Sequence, residues 1–255
     1  MLGRTHMGIG AVGAVAATPL ILHSQWEPIR QLLDSHSNTI PYVVVSQVVL
    51  VGASMVGALI PDLEQSDSLM ARKIEVVLGL PVLFIMAALI VLMHQQASLT
   101  AWGLVLLLTI LFGAFGAAKN TTRILGLGVI TAGLLYLGWH KQIPVQATVL
   151  LVAWTIGAMF AKHRTFTHSL IGLILFAAGV NLCNHLFNTL HIGMVGPGLI
   201  VGYTLHLVAD AVAGGVPLLW PWGRRFGIRW VHTGGIVDSI IGGVAFLGFV
   251  VLAVV

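Results

Sequence analysis

Charge is what this sequence has least of. Asp, Glu, Lys and Arg make up 8% of 255 residues and hydrophobic residues 58%, whereas soluble domains are roughly a quarter charged. With a mean hydropathy of +1.00, a soluble globular domain is excluded, and without ten-residue alternating segments so is a transmembrane barrel. Cysteine is down to Cys183, so neither an intramolecular disulfide nor a cysteine metal cage can form. HExxH, GxSxG and a Gly-rich loop before Lys-Ser/Thr are missing, which removes the common zinc-protease, serine-hydrolase and P-loop readings. The net charge of +4 comes from basic residues scattered singly and in pairs. With no basic arm or interleaved aromatics, nucleic acid is not an expected partner.

What remains is a series of apolar runs. A helical crossing needs about 20 residues, and candidate spans fall near 8–22, 41–60, 76–93, 99–118, 123–139, 144–161, 169–187, 194–210 and 237–255. The expected fold is all-α, a polytopic transmembrane helical bundle of about nine spans forming a single integral membrane domain over residues 1–255. Thr18-Pro19 leaves the first span open to a tilted, broken or partly re-entrant course, and a cleaved signal peptide is the competing reading of the N-terminus. Nine spans put Arg4, Arg72, Lys73, Lys119, Arg123, Lys162, Arg164, Arg224, Arg225 and Arg229 on one side, and Arg30 and Lys141 on the other. The positive-inside rule makes the crowded side, with the N-terminus, cytoplasmic.

The same count sorts the ionisable residues. His6, Asp62, Glu64, Asp67, Glu75, His163, His168, Asp210, His232 and Asp238 fall at the cytoplasmic edge, with His206 a turn deeper. His23, Glu27, Asp34, His36, His94, His140, His185 and His191 fall at the opposite edge and read as solvated loop residues.

Five stretches carry the chemistry. In HLVAD, His206 and Asp210 are four apart and share a helix face; an intramembrane His–Asp pair is either a functional site or a hydrogen bond between helices. In HRTFTHSL, His163 and His168 are about 140° apart on a continuous helix. A turn between them, with Thr165 or Thr167 capping a helix that begins near His168, brings both into one cavity; the alternative is a pair of interfacial histidines beside Lys162 and Arg164. In GALIPDLEQSD, Pro61 stops a helix and leaves Asp62 at the membrane edge, while Glu64 and Asp67 read as an acidic loop. GRTHMG sets His6 before the first apolar run. In WVHTGGIVD, His232 and Asp238 flank a Gly234-Gly235 turn, and Asp238 opens an apolar run where it can interact with a helix N-terminus. Imidazoles and carboxylates converging at low dielectric are ligands for zinc, manganese or ferrous iron.

RTHMGIG, GALIPDLE, HRTFTHSL, GYTLHLVADAVAGGVPLLWPW and HTGG-x-x-D together resemble the YdjM-like family of bacterial inner-membrane, metal-dependent hydrolases, some of them controlled by the SOS repressor LexA. The resemblance implies a metal centre built from His6, Asp62, His163, His168, His206 and Asp210. The sequence departs from the family pattern in three places: Glu64 stands where Pro-Asp-x-Asp is common, Ala213 where threonine is, and Asp238 where glutamate is.

The expected function is a membrane-embedded metal-dependent hydrolase opening at the cytoplasmic leaflet and acting on a phosphoester in a lipid or lipid-linked substrate. His163, His168, His206 and Asp210 bind one divalent ion, zinc ahead of manganese or iron; Asp62, with His6, binds a second ion or orients the attacking water. Arg164, with Arg123, Lys119 or Arg224, holds an anionic group. A divalent-cation or proton transporter and a non-catalytic scaffold are the rival readings. Gly52, Gly57, Gly113, Gly116, Gly242 and Gly243 are the expected close-packing positions.

Overall fold

The computed structural model describes residues 1–23, 40–64, 119–162, 164–223, 225–228 and 230–254. Among them the secondary structure is helical, apart from one isolated antiparallel bridge between Val216 and Phe226. The helices are α1 (Gly3–Ile21), α2 (Ile40–Gly57), α3 (Lys119–Trp139), α4 (Val145–Phe160), α5 (Leu170–Leu182), α6 (Asn184–Thr189), α7 (Val195–Ala213) and α8 (Ile236–Val254). A 3-10 turn, Ile60–Glu64, follows α2. The expected spans 76–93 and 99–118 lie outside the described residues.

Two helices, Val195–Ala213 and Ile236–Ala253, are long and apolar enough to cross a membrane; Val45–Gly57, Gly126–Trp139, Val145–Phe160 and Leu170–Leu182 are shorter apolar helices. Two expectations need correction. The first span is not broken: α1 is continuous through Pro19. Proline removes one intrahelical N–H, and in the last turn that loss is small; Leu22 still closes the helix onto the Thr18 carbonyl at 2.8 Å. Residues 169–187 are two helices rather than one. The helix tightens at Cys183, whose N–H bonds the Val180 carbonyl, and Asn184 donates to Asn181 across the break at 2.8 Å.

α7 is the hub, packed against α2, α1 and α5, while α1 also packs on α2 and α8, and α3, α4 and α5 follow side by side. The α2–α7 approach is at backbone distance. A Cβ on Gly202 would sit 1.9 Å from the Ser54 carbonyl oxygen, and one on Gly57 2.3 Å from that of Leu199. Of the other expected close-packing positions, Gly242 meets Thr5 of α1, whereas Gly52 and Gly243 meet nothing within 4 Å among the described residues. Gly113 and Gly116 lie outside the described residues.

This packing gathers one set of helix ends. The N-termini of α1, α5 and α8 meet the C-termini of α2, α4 and α7, and the buried ionisable groups lie there. At the other ends His23, His140, His185 and His191 are exposed.

Candidate metal centre

Five side chains from four segments converge at these helix ends. The helix of α1 begins at Gly3, so His6 lies inside it. Asp62 lies within the 3-10 turn Ile60–Glu64, just after Pro61. His168 sits between α4 and α5, and His206 and Asp210 occupy the last two turns of α7. His6, His168, His206 and Asp210 are all buried.

The turn at HRTFTHSL forms, but with a different cap. Ser169 is the N-cap of α5, accepting from the Gly172 N–H at 3.1 Å. The expected caps are used elsewhere: Thr165 Oγ1 donates to the Lys162 carbonyl and Thr167 Oγ1 to that of Pro61 at 2.8 Å. The reason is reach: a cap must stand next to the first helical residue, and α5 begins at Leu170 rather than near His168.

The hydrogen bonds assign the ring tautomers. The Thr167 hydroxyl spends its proton on Pro61 and so accepts from His168 Nδ1 at 3.1 Å. His206 Nδ1 donates to the Ala58 carbonyl at 2.7 Å. A neutral ring that donates through Nδ1 offers Nε2 as its acceptor, the arrangement that outer-shell oxygens impose on metal-binding histidines. The two Nε2 atoms face each other at 3.2 Å. His168 Nε2 lies 3.6 Å from both Asp62 Oδ1 and Asp210 Oδ2, and His206 Nε2 3.8 Å from both.

Those separations test the fit to a divalent ion. Bonds of about 2.0–2.1 Å in a tetrahedral shell imply donor–donor edges of about 3.3–3.4 Å. Five of the six donor–donor separations run from 3.2 to 3.8 Å, close to those edges, and two imidazoles with two carboxylates are zinc, manganese or iron chemistry. Buried His/Asp groups that can hold an ion form two triads, His6–His206–Asp210 and Asp62–His168–His206. They share His206, and with Nδ1 engaged its single Nε2 can serve one ion only.

His6 stands beside this set. Its ring stacks on His206 with centroids 3.8 Å apart, Nε2 is 3.2 Å from Asp210 Oδ1, and neither buried ring nitrogen makes a hydrogen bond among the described residues. Arg164 Nη2 reaches Asp210 Oδ2 at 3.4 Å, from a backbone at φ 56°. The Met1 ammonium lies 2.9 Å from Asp210 Oδ1.

His163, Asp67, Glu75 and Arg224, and the side chains of Glu64, Lys119 and Arg123, lie outside the described residues. His232 is exposed and takes no part. Asp238 is buried but serves as a tether, accepting from the Leu2 and Gly234 N–H groups at 2.9 and 2.8 Å.

Three partners escape a reading by residue type: the Ala58 carbonyl, the Met1 ammonium and Tyr203, whose hydroxyl donates to the Thr167 carbonyl at 2.5 Å and accepts from Trp154 at 3.3 Å. Only Tyr203 left a trace, three residues before His206 on the same helix face.

No curated protein and no solved structure matches the chain. A family model described as YdjM inner membrane protein matches residues 1–255, so this chain, with its apolar helices, belongs to that family of inner membrane proteins.

Proposed function

We propose that the protein is a metal-dependent hydrolase whose site opens at the cytoplasmic leaflet and which acts on a phosphoester in a lipid or lipid-linked substrate. The observation that carries this reading is the convergence of the His168 and His206 Nε2 atoms, 3.2 Å apart, with the Asp62 and Asp210 carboxylates within 3.8 Å of them. Two imidazoles and two carboxylates gathered in a low-dielectric interior are the donor set a divalent cation takes. These four residues hold a single divalent ion, zinc ahead of manganese or iron, to which the sequence offers His163 as a further ligand. When bound, such an ion acidifies a coordinated water towards neutral pH and polarises a substrate oxygen.

The remaining residues divide the other work. His6, with both ring nitrogens outside any hydrogen bond among the described residues, is placed to take the proton from an attacking water. Arg164 has a buried Nε that donates to nothing described, and its guanidinium offers N–H donors to an anionic phosphoryl group. The nine-span topology with a cytoplasmic N-terminus belongs to this reading, supported by the excess of basic residues on that side. SOS control, expected from the family resemblance, is tested by measuring the transcript after DNA damage.

A second reading, a non-catalytic cluster that pins helices, has one observation in its favour: the Met1 ammonium and Arg164 already give Asp210 two cationic partners. Metal content by inductively coupled plasma mass spectrometry separates the two. Near-stoichiometric metal in purified wild type, lost in His168→Ala and in His206→Ala, is the expected result and opens a screen of phospholipid and polyprenyl-phosphate substrates. A wild type that holds no ion after reconstitution with zinc, manganese and iron overturns the hydrolase and leaves the pinning cluster.

A further inference from the structure

The segment between α7 and α8 has an unusual division between backbone and side chains. Its backbone is tied down at four places. Val216 and Phe226 exchange two hydrogen bonds of 2.8 Å, the Ile228 and Trp230 N–H groups bond the Ala211 and Val212 carbonyls of α7, and the Leu218 carbonyl accepts from Leu170 at the start of α5. Its large apolar side chains nevertheless point outwards: Trp222 is 87% exposed and Trp230 76%, with Leu219, Phe226 and Ile228 also exposed. A fixed backbone displaying tryptophan to the outside is arranged for a surrounding phase other than its own core.

Two further facts identify that phase. Between Asp210 and Asp238 the sequence carries Arg224, Arg225 and Arg229 and no acidic residue, and the described member, Arg225, is exposed. The segment also runs straight into α8, whose apolar side chains are exposed from Ile236 onwards and which is long enough to cross a membrane. It therefore sits where a crossing helix meets the bilayer surface, the depth at which tryptophan rings are favoured and at which arginines attract anionic lipids.

We propose that the described residues of 216–230 form an interfacial lip that binds the headgroups of anionic phospholipids, with Trp222 and Trp230 seated at headgroup depth and Arg225 holding a lipid phosphate. The lip is bonded one and two residues beyond Asp210 and two beyond His168, so its seating sets the depth of that cluster. The inference does not depend on hydrolysis.

The test places an environment-sensitive fluorophore on Trp222→Cys in a Cys183→Ser background, reconstituted in vesicles of phosphatidylcholine and phosphatidylglycerol at 7:3. The expected result is quenching by lipids spin-labelled near the headgroup and weaker quenching by deeply labelled ones. Spin-labelled phosphatidylglycerol should quench several-fold better than spin-labelled phosphatidylcholine, a preference lost in R224Q/R225Q/R229Q and reduced roughly fivefold or less in R225Q, in line with the contribution of one surface arginine. If the triple variant does not fold, R225Q alone decides. Equal quenching by both lipids overturns the headgroup recognition. A fluorophore that stays in water and is quenched by neither overturns the proposal altogether and assigns the face to a protein partner.

Discussion

At the scale of single residues, the orientation of His168 depends on a hydroxyl that is itself already engaged. Thr167 Oγ1 can accept from His168 only because its own proton goes to Pro61. Thr167→Val keeps the shape and removes the acceptor, so His168 loses the partner that fixes Nε2 as the lone pair. Metal affinity should fall by about 10–100-fold, the usual cost of an outer-shell partner, and Thr167→Ser should restore it; competition titration against a chelating dye reads both. Unchanged affinity in Thr167→Val would remove the tautomer assignment. His6, Asp62, His168, His206 and Asp210 were all legible from residue type, because acids and histidines in apolar sequence stand out. Their supporting oxygens were not, since a carbonyl such as that of Ala58 carries no signature in a sequence.

At the scale of elements, the site depends on how closely α2 and α7 approach, because these two helices bring Ala58 and Asp62 against His206 and Asp210. Gly202 faces a backbone oxygen that cannot turn aside. Gly202→Leu should destabilise the protein by about 1–3 kcal/mol or more, the range for overpacking, and disrupt metal binding with it. Gly52→Leu, with nothing within 4 Å of its Cβ among the described residues, should leave both unchanged. Thermal unfolding in detergent, read beside metal content, checks the pair, and equal effects from both substitutions would contradict the packing. Composition marked glycine as useful without saying which glycines, because the face a helix buries is set by its neighbours. The same holds for the first helix: Thr18-Pro19 left its course open, and only the position of Pro19 in the last turn of α1 closes the question.

At the scale of the whole molecule, α8 turns a row of large apolar side chains outwards, among them Val244, Phe246 and Leu247 at 63–65% exposure. In an inner membrane protein this face meets lipid. Val244→Arg, near the middle of the helix, puts a charge where insertion costs about 2.5–3.5 kcal/mol, so the variant should accumulate less in the membrane fraction than wild type. Normal accumulation would mean that another surface covers this face. Composition by itself determined that the protein is helical and belongs in a membrane, because scarce charge and long apolar runs leave the backbone no other way to satisfy its hydrogen bonds in lipid. Residue types also marked out the ionisable groups of the centre. Only the tertiary structure decided that His6, Asp62, His168, His206 and Asp210 meet, that Asp238 tethers the N-terminus instead, and that His232 stays outside. Such meetings depend on helix rotation and close approach, which neighbouring helices impose and which no single segment encodes.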